Sequence, residues 1–484
     1  MRSLFGKENN PLEINVINNI THRLNRIFKL IRLKTFDCST EEGRSNERYR
    51  RAAMTALASA IAKGVSMLTV LISVPLTLNY LGNERYGLWM TISSLIAMLS
   101  FADLGLGNGL LNVVSDAKGR DNRQDIIYAV SSTFFMLTGI AVVLGSIFFI
   151  TYSIIPWPQI YNVSSSKAVI EAGSATAVFI VCFLLNLPLG LVQRIQLGYQ
   201  EGFYNGLWTA LGSFLGLLLV LLVIHLKAGL PWLVLAMSGS VTFASLINGI
   251  VLVFKRPYLL PRINKVMHTT AIKILKTGLL FFVLQLAAAV AYTSDNIVVA
   301  QILGSDAVAQ YSVPFKMFSI IFMIISMVLN PLWPAYGESI ARGDTMWVTN
   351  TLVKSIKLSL FVTVPAGLIL IVFGLPIIHL WAGPQINPSI SLLTGLGIWT
   401  VMVTCGTAFS MFLNGANVIG FQVIIAIIHA TTALCLKILL TRLVGISGIV
   451  WATVIAYGLC ALVPYFICVP SIIRKLGQST EKII

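Results

Sequence analysis

Charge is what this sequence has least of. Only 11% of its 484 residues are Asp, Glu, Lys or Arg, while 56% are hydrophobic. A soluble domain carries about 25% charged residues, so this chain cannot cover itself with polar surface, and a water-soluble fold is excluded. Cysteine is sparse too. Cys38, Cys182, Cys405, Cys435, Cys460 and Cys468 show neither metal-ligand nor disulfide spacing, and five of them sit in apolar segments as small core hydrophobes. His225, His379 and His429 are scattered, with no carboxylate at metal spacing, so neither a metal nor a cofactor is expected. No Gly-x-x-x-x-Gly-Lys-Ser/Thr run occurs, which argues against direct use of ATP. The first 50 residues hold no compact apolar core with a cleavage site, so no removable signal peptide is expected.

What the sequence has in abundance is uninterrupted apolar chain. Segments that cross lipid must satisfy their own backbone hydrogen bonds, which leaves helices or a closed barrel. The runs 134–150 and 207–224 are nearly continuously apolar, whereas barrel strands alternate over about ten residues. The expected fold is therefore an all-α integral membrane protein. At about 20 residues per crossing, twelve spans emerge: 53–79, 86–113, 126–152, 168–192, 205–225, 231–254, 278–302, 311–335, 351–373, 389–413, 418–441 and 446–472.

The net charge is +16, and its placement tells what it is for. Eleven of the 34 Lys and Arg precede Ala52, and six more lie in 255–276. With the N-terminus in the cytoplasm, the cytoplasmic loops also receive Lys118, Arg120, Arg123, Arg194 and Arg342, and the C-terminal tail receives Arg474, Lys475 and Lys482. The outer loops keep only Arg85, Lys167, Lys227 and Arg442. That is the positive-inside bias, and both termini are expected in the cytoplasm. Without basic and aromatic interleaving, nucleic acid is not an expected partner. Ahead of the first span, Ile17, Ile20, Leu24, Ile27 and Ile31 share one helical face, with Arg23, Arg26, Lys29 and Arg32 on the other. This segment is either an amphipathic helix on the anionic inner leaflet or a basic tail that fixes topology.

The chain also repeats itself. Leu81-Gly82-Asn83-Glu84 with Tyr86 pairs with Leu303-Gly304-Ser305-Asp306 with Tyr311. Gly198 and Gly202-Phe203 pair with Gly415 and Gly420-Phe421, and Gly229-Leu-Pro-Trp232 pairs with Gly448-Ile-Val-Trp451. Three matches in one order predict two six-helix lobes related by an axis along the membrane normal, as in alternating-access carriers. The expected organisation is a basic extension 1–51, a first lobe 52–255, a cytoplasmic linker 256–276, a second lobe 277–475 and a tail 476–484.

At this point a family resemblance appears. The run Tyr80-Leu-Gly-Asn-Glu-Arg-Tyr-Gly-Leu-Trp89, followed by Asp103-Leu-Gly-Leu-Gly-Asn-Gly109, resembles the first two spans of Wzx-type O-antigen and capsule flippases. These belong to the multidrug/oligosaccharidyl-lipid/polysaccharide (MOP) superfamily. Thr293-Ser-Asp-Asn-Ile-Val298, Leu303-Gly304, Tyr311 and Lys316 agree in the second half, and the resemblance covers residues 52–475. It implies two facing bundles with a central cavity open alternately to either side. It also implies an undecaprenyl-diphosphate-linked oligosaccharide as cargo, an inner-membrane location, and proximity to polysaccharide polymerase machinery.

An ionisable group near the bilayer centre costs about 2.5–3.5 kcal/mol on the mildest scale, so each one needs a reason. Asp103, followed by Gly105, Gly107 and Gly109, is either a cavity-lining carboxylate at a hinge or the cap of an unwound turn. Lys63, mid-span, either faces the cavity, where a diphosphate would pair with it, or pairs internally with Asp103 or Asp295. Asp295 with Asn296 either lines the second lobe's side of the cavity or makes an interhelical polar contact. Lys316 and Lys437 are further cavity candidates, each near enough to a span end to snorkel. Gln193, Gln196, Asn414 and Asn417 occupy matching inner mouths of the lobes, as sugar-binding groups or as ordinary loop polars. A proton or sodium counterflow through Asp103 or Asp295 is compatible with the sequence. Two rival readings are a multidrug or cation-coupled antiporter of the same architecture, in which acids would dominate the cavity, and a membrane-embedded polymerase, ligase or glycosyltransferase. The enzyme reading lacks a hydrophilic outer loop with paired carboxylates.

Overall fold

The computed structural model describes residues 35–37, 39–98, 101–161, 163–382, 384 and 386–481. The amphipathic segment around Ile17–Ile31 lies outside the described residues. Among those described, regular structure is entirely helical. Eleven helices are long and apolar enough to span a membrane. Span one is Glu41–Gly82, span three Arg123–Thr151, span four Ser166–Gly198, span five Gly202–His225 and span six Leu230–Lys255. Spans seven to twelve are His268–Leu303, Gln310–Ala341, Thr345–Trp381, Ile390–Gly415, Ile419–Val444 and Ile446–Leu476. The remaining crossing, span two, is broken. It continues from Gly82 to Met98, is interrupted by a turn at 102–105 and resumes as Leu106–Gly119. Twelve crossings result, six before and six after the linker.

The internal repeat predicted from sequence is also a repeat of backbone geometry. Gly82 sits at φ 76°, ψ 170° and Gly304 at φ 92°, ψ 166°. Only glycine enters that region freely, which is why both halves carry Leu-Gly at the first reversal. Gln200 and Asn417 both take φ 57° between spans four and five and between ten and eleven. Ser165 caps span four through the Ala168 N–H, and Ser389 caps span ten through the Leu392 N–H. Spans six and twelve each contain a five-residue π-turn, Leu235–Gly239 and Gly458–Leu462.

Two boundaries differ from the sequence reading. The helix that carries span one starts at Glu41, so a polar helical stalk precedes the crossing expected from residue 53. The loosening ascribed to three glycines is confined to the first. Leu104 (φ 50°) and Gly105 (φ 70°) form the break, whereas Gly107 and Gly109 lie inside the regular helix that follows. The bare α-carbons of Gly105 and Gly109 let span seven approach closely. A β-carbon on Gly109 would meet the Ile274 carbonyl oxygen at 2.8 Å, and one on Gly105 would collide with that of Gly278.

Candidate functional site

Spans one to six and seven to twelve meet most tightly at the end that carries the basic loops. There the resumed helix of span two packs on the last turns of span eight. A β-carbon on Gly119 would lie 2.5 Å from the Ala341 Cβ, so only glycine allows the crossing. Around this contact, Lys118 faces Glu338 at 3.5 Å and Arg342 faces Asp121 at 3.1 Å. Gln200 donates to Glu338. The polar stalk of span one joins in. Arg48 reaches Asp344 at 2.6 Å and Ser339 at 3.2 Å, and Tyr49 bonds Thr351 at 2.7 Å. Deeper in, the Trp333 indole N–H donates to Asn112 at 2.6 Å, and Asn112 donates to Asn417 at 3.1 Å. This hydrogen-bonded chain ties spans two and eight to the loop between ten and eleven.

Next to that chain lies a cavity of about 290 Å³ walled by spans seven, eight, ten, eleven and twelve, with Asn108 of span two at its first-half edge. Asn108 of span two, Gln285 and Tyr292 of span seven, Trp333 of span eight, and Gln422 and His429 of span eleven line it. Its wall is built from amides and aromatic rings. Gln422 donates to Asn414 at 2.9 Å, fixing one amide pair in the wall. The ring of His429 lies 5.2 Å from that of Tyr457 and 6.0 Å from that of Tyr292. Tyr457 immediately precedes the π-turn of span twelve, and such turns recur at functional sites. Amide edges that donate and accept, beside flat apolar rings, suit a polyhydroxylated ligand with apolar faces.

The ionisable residues singled out from sequence fall in several places. Asp103 accepts the Gly105 N–H at 2.9 Å, across the break in span two. Its carboxylate and the Arg194 guanidinium both lie just over 3 Å from where a Gly107 Cβ would stand. Asp295 and Lys437 form one unit. Lys437 has no exposed surface and sits 2.5 Å from Asp295, which also accepts from the Tyr311 hydroxyl at 2.5 Å. The Lys437 ammonium further donates to the Ala291 carbonyl. Lys437 therefore does not snorkel; it cross-links spans seven and eleven inside the second half. Asn296 and Lys316 are exposed.

Lys63 is exposed as well and forms no hydrogen bond or ion pair among the described residues. Span one packs on span five through Ala62, Ser66 and Thr69, and the Ser66 hydroxyl meets that of Ser213 at 2.8 Å. At about 100° per residue, Lys63 lies on the flank shared with Ala56, Ser59 and the exposed Met67 and Val70. The opposite flank carries Leu57, Ile61 and Leu68, all exposed. Of the inner-mouth amides, Gln196 pairs with Asn248 inside the first half at 2.6 Å, and Asn414 reaches the cavity. Trp333, Gln285, Asn108 and Tyr292 escaped sequence reasoning, because amides and aromatics inside apolar spans carry no charge to mark them. The one available signal was their polarity within otherwise continuous apolar runs.

Known proteins place this architecture. The family profile described as Polysaccharide biosynthesis protein matches residues 53–340, and the MatE profile matches 281–439. A Salmonella typhi protein that bears the name O-antigen transporter is 22% identical over 430 residues, spanning 85% of this chain and 94% of its own length. An O-antigen export protein of Yersinia pseudotuberculosis is 22% identical over 74% of this chain and 82% of its own. Among solved structures, a MATE transporter in the bent conformation superposes with a TM-score of 0.77 at 15% identity, covering 90% of this chain and 98% of its own. A MOP superfamily transporter from Pyrococcus furiosus gives 0.73 at 17%, covering 88% and 96%. The fold is thus MATE-like, with twelve crossings in two six-helix bundles. With its profile running through more than half of the sequence, this multi-pass membrane protein belongs to the polysaccharide biosynthesis protein family.

Proposed function

We propose that the protein is a flippase that moves an undecaprenyl-diphosphate-linked oligosaccharide from the inner to the outer leaflet of the cytoplasmic membrane, for O-antigen, capsule or exopolysaccharide synthesis. The observation that carries this reading is the cavity lined by amides and aromatic rings of the second half, which Asn108 of span two joins from the first. A sugar headgroup and a diphosphate cannot cross about 30 Å of hydrocarbon unaided. The cavity supplies hydrogen bonds and ring faces for the sugar while the polyprenyl tail stays in lipid. Rocking of the halves then exposes the headgroup to either side. The basic end faces the cytoplasm, since positive charge is retained there, and both termini lie on that side.

Outward passage of an anion is helped by the membrane potential, at about 2.3 kcal/mol per charge per 100 mV. Asp103 is the acidic group we assign to any proton or sodium counterflow. Lys63, Asn296 and Lys316 are assigned to the headgroup path. The work is transport with no bond made or broken, so the protein is not an enzyme. Polysaccharide polymerase is its functional neighbour downstream.

The test is a gene deletion complemented with Trp333→Ala, Gln285→Ala or Lys63→Ala. Surface polysaccharide should be lost while protein level stays normal, and polyprenyl-linked repeat units should accumulate on the cytoplasmic leaflet. Unchanged polysaccharide in the Trp333 and Gln285 variants would overturn the assignment of the cavity, and unchanged polysaccharide in Lys63→Ala would remove that lysine from the headgroup path. Drug efflux restored in a transporter-deficient strain, with polysaccharide unaffected by the deletion, would point instead to the multidrug antiporter that the fold also accommodates.

A further inference from the structure

At the basic end, outside the central cavity, the packed halves and the stalk of span one border a polar chamber of about 370 Å³. Five cations line it: Arg44, Arg48 and Arg51 from the stalk, Lys118 from span two and Arg342 after span eight. Three carboxylates answer them, Glu47, Asp121 and Glu338. Just beyond the lining, Arg50 and Asp344 add one charge of each sign, pairing with Glu47 and Arg48. The carboxylates are also heavily used. Glu47 serves Arg50 and Arg51 together, at 2.7 and 2.8 Å. Glu338 serves Lys118 and Arg342. Cations therefore outnumber anions by two around the chamber.

A second observation points the same way. Arg48 is only 4% exposed, held by Asp344 and Ser339 and stacked 5.1 Å from the Trp347 ring, yet its Nε has no acceptor. A buried guanidinium N–H without a partner is uncommon and costly. Arginine's fixed fork suits the oxygens of a phosphate.

We propose that this chamber binds a phosphate-type dianion, either the diphosphate of a polyprenyl-linked lipid or free inorganic phosphate or pyrophosphate. The lipid source rests on the flippase reading; the anion chemistry does not. The ligand bonds Arg48 and Arg51 of the stalk and competes with Glu338 and Asp121 for Lys118 and Arg342. Those two cations also bridge the halves, so the bound anion loosens the closed end.

The test uses the full chain purified into phosphatidylcholine nanodiscs, with thermal unfolding as the readout. In one arm, inorganic phosphate or pyrophosphate is titrated at constant ionic strength against potassium chloride. In the other, undecaprenyl diphosphate is built into the disc. Occupancy of the chamber should shift the midpoint by several degrees in at least one arm, and chloride should not. The shift should vanish in Arg48→Gln/Arg51→Gln and persist in Arg120→Gln, whose partners Asp116 and Asp125 lie outside the chamber. If the double variant does not fold, Lys118→Met serves in its place, with a shift at least halved. A response to soluble anion alone names free phosphate as the ligand, and a response to lipid alone names the headgroup. No shift in either arm, or an equal shift in wild type and variant, overturns the site. Loss of the site with polysaccharide export intact would leave the flippase reading standing.

Discussion

Two ion-paired regions of this molecule differ in where they sit and in what they can do. Lys118, Asp121, Glu338 and Arg342 pair across the two halves at the basic end, beside a chamber. Asp295 and Lys437 pair within the second half, with Lys437 sealed from any solvent. Charges that line a chamber can exchange partners, because water or an anion replaces what each one loses. A pair sealed inside one bundle has no substitute, and removing either member strands a charge in an apolar interior. The first arrangement suits surfaces that must part during transport, and the second suits a rigid body that moves as a unit.

That contrast can be broken from its stiffest side first. Lys437→Met alone strands Asp295 and should destabilise the protein by about 3–5 kcal/mol, read as lost yield and a collapsed unfolding midpoint in detergent. Asp295→Leu/Lys437→Met together should recover most of the loss. A single variant as stable as wild type would show that the pair is not locked. Next in size is Gly119→Leu, which wedges side-chain volume against Ala341 and the Glu338 carbonyl. Overpacking of this kind costs about 1–3 kcal/mol, here weighing on the closed arrangement alone, so a cysteine placed at 115, with the native cysteines replaced, should label faster with a membrane-permeant maleimide. Unaltered labelling would mean that the halves do not separate there.

Trp333→Phe keeps the ring but removes the indole bond to Asn112, at a cost of about 1 kcal/mol. It should raise the same labelling two- to fivefold and spare yield. Smallest is Asp121→Asn. Asp121 is 77% exposed and its pair is screened by water, so labelling and stability should stay within error. A large effect there would mean that the chamber is drier than its exposure implies.

Much of this was legible in the chain itself. Span number followed from apolar length, and the second crossing, broken at Gly105, was still visible as sequence. The repeat was legible because matching backbone positions demand matching residues: Gly82 and Gly304 share a conformation that a side chain strains. The partner of Asp295 was harder to see. Lys437 lies 142 positions away on span eleven, and nothing in either span's pattern announces that they touch. The cavity was legible only in part. Asn414 drew notice as a polar mouth residue, but Trp333 and Gln285 look locally like any polar or aromatic interruption of a lipid-crossing helix.

By itself, then, the sequence determined that this protein lives in lipid, crosses it twelve times, doubles a six-helix plan and keeps its positive charge at one end. Those properties are sums over local segments, and hydrophobic transfer and backbone satisfaction act on each segment separately. Tertiary structure alone decided which lysine meets which aspartate, which amides share a wall and which glycines lie at a crossing. Those depend on distances between residues hundreds of positions apart, and helix packing sets such distances only when all the spans are assembled.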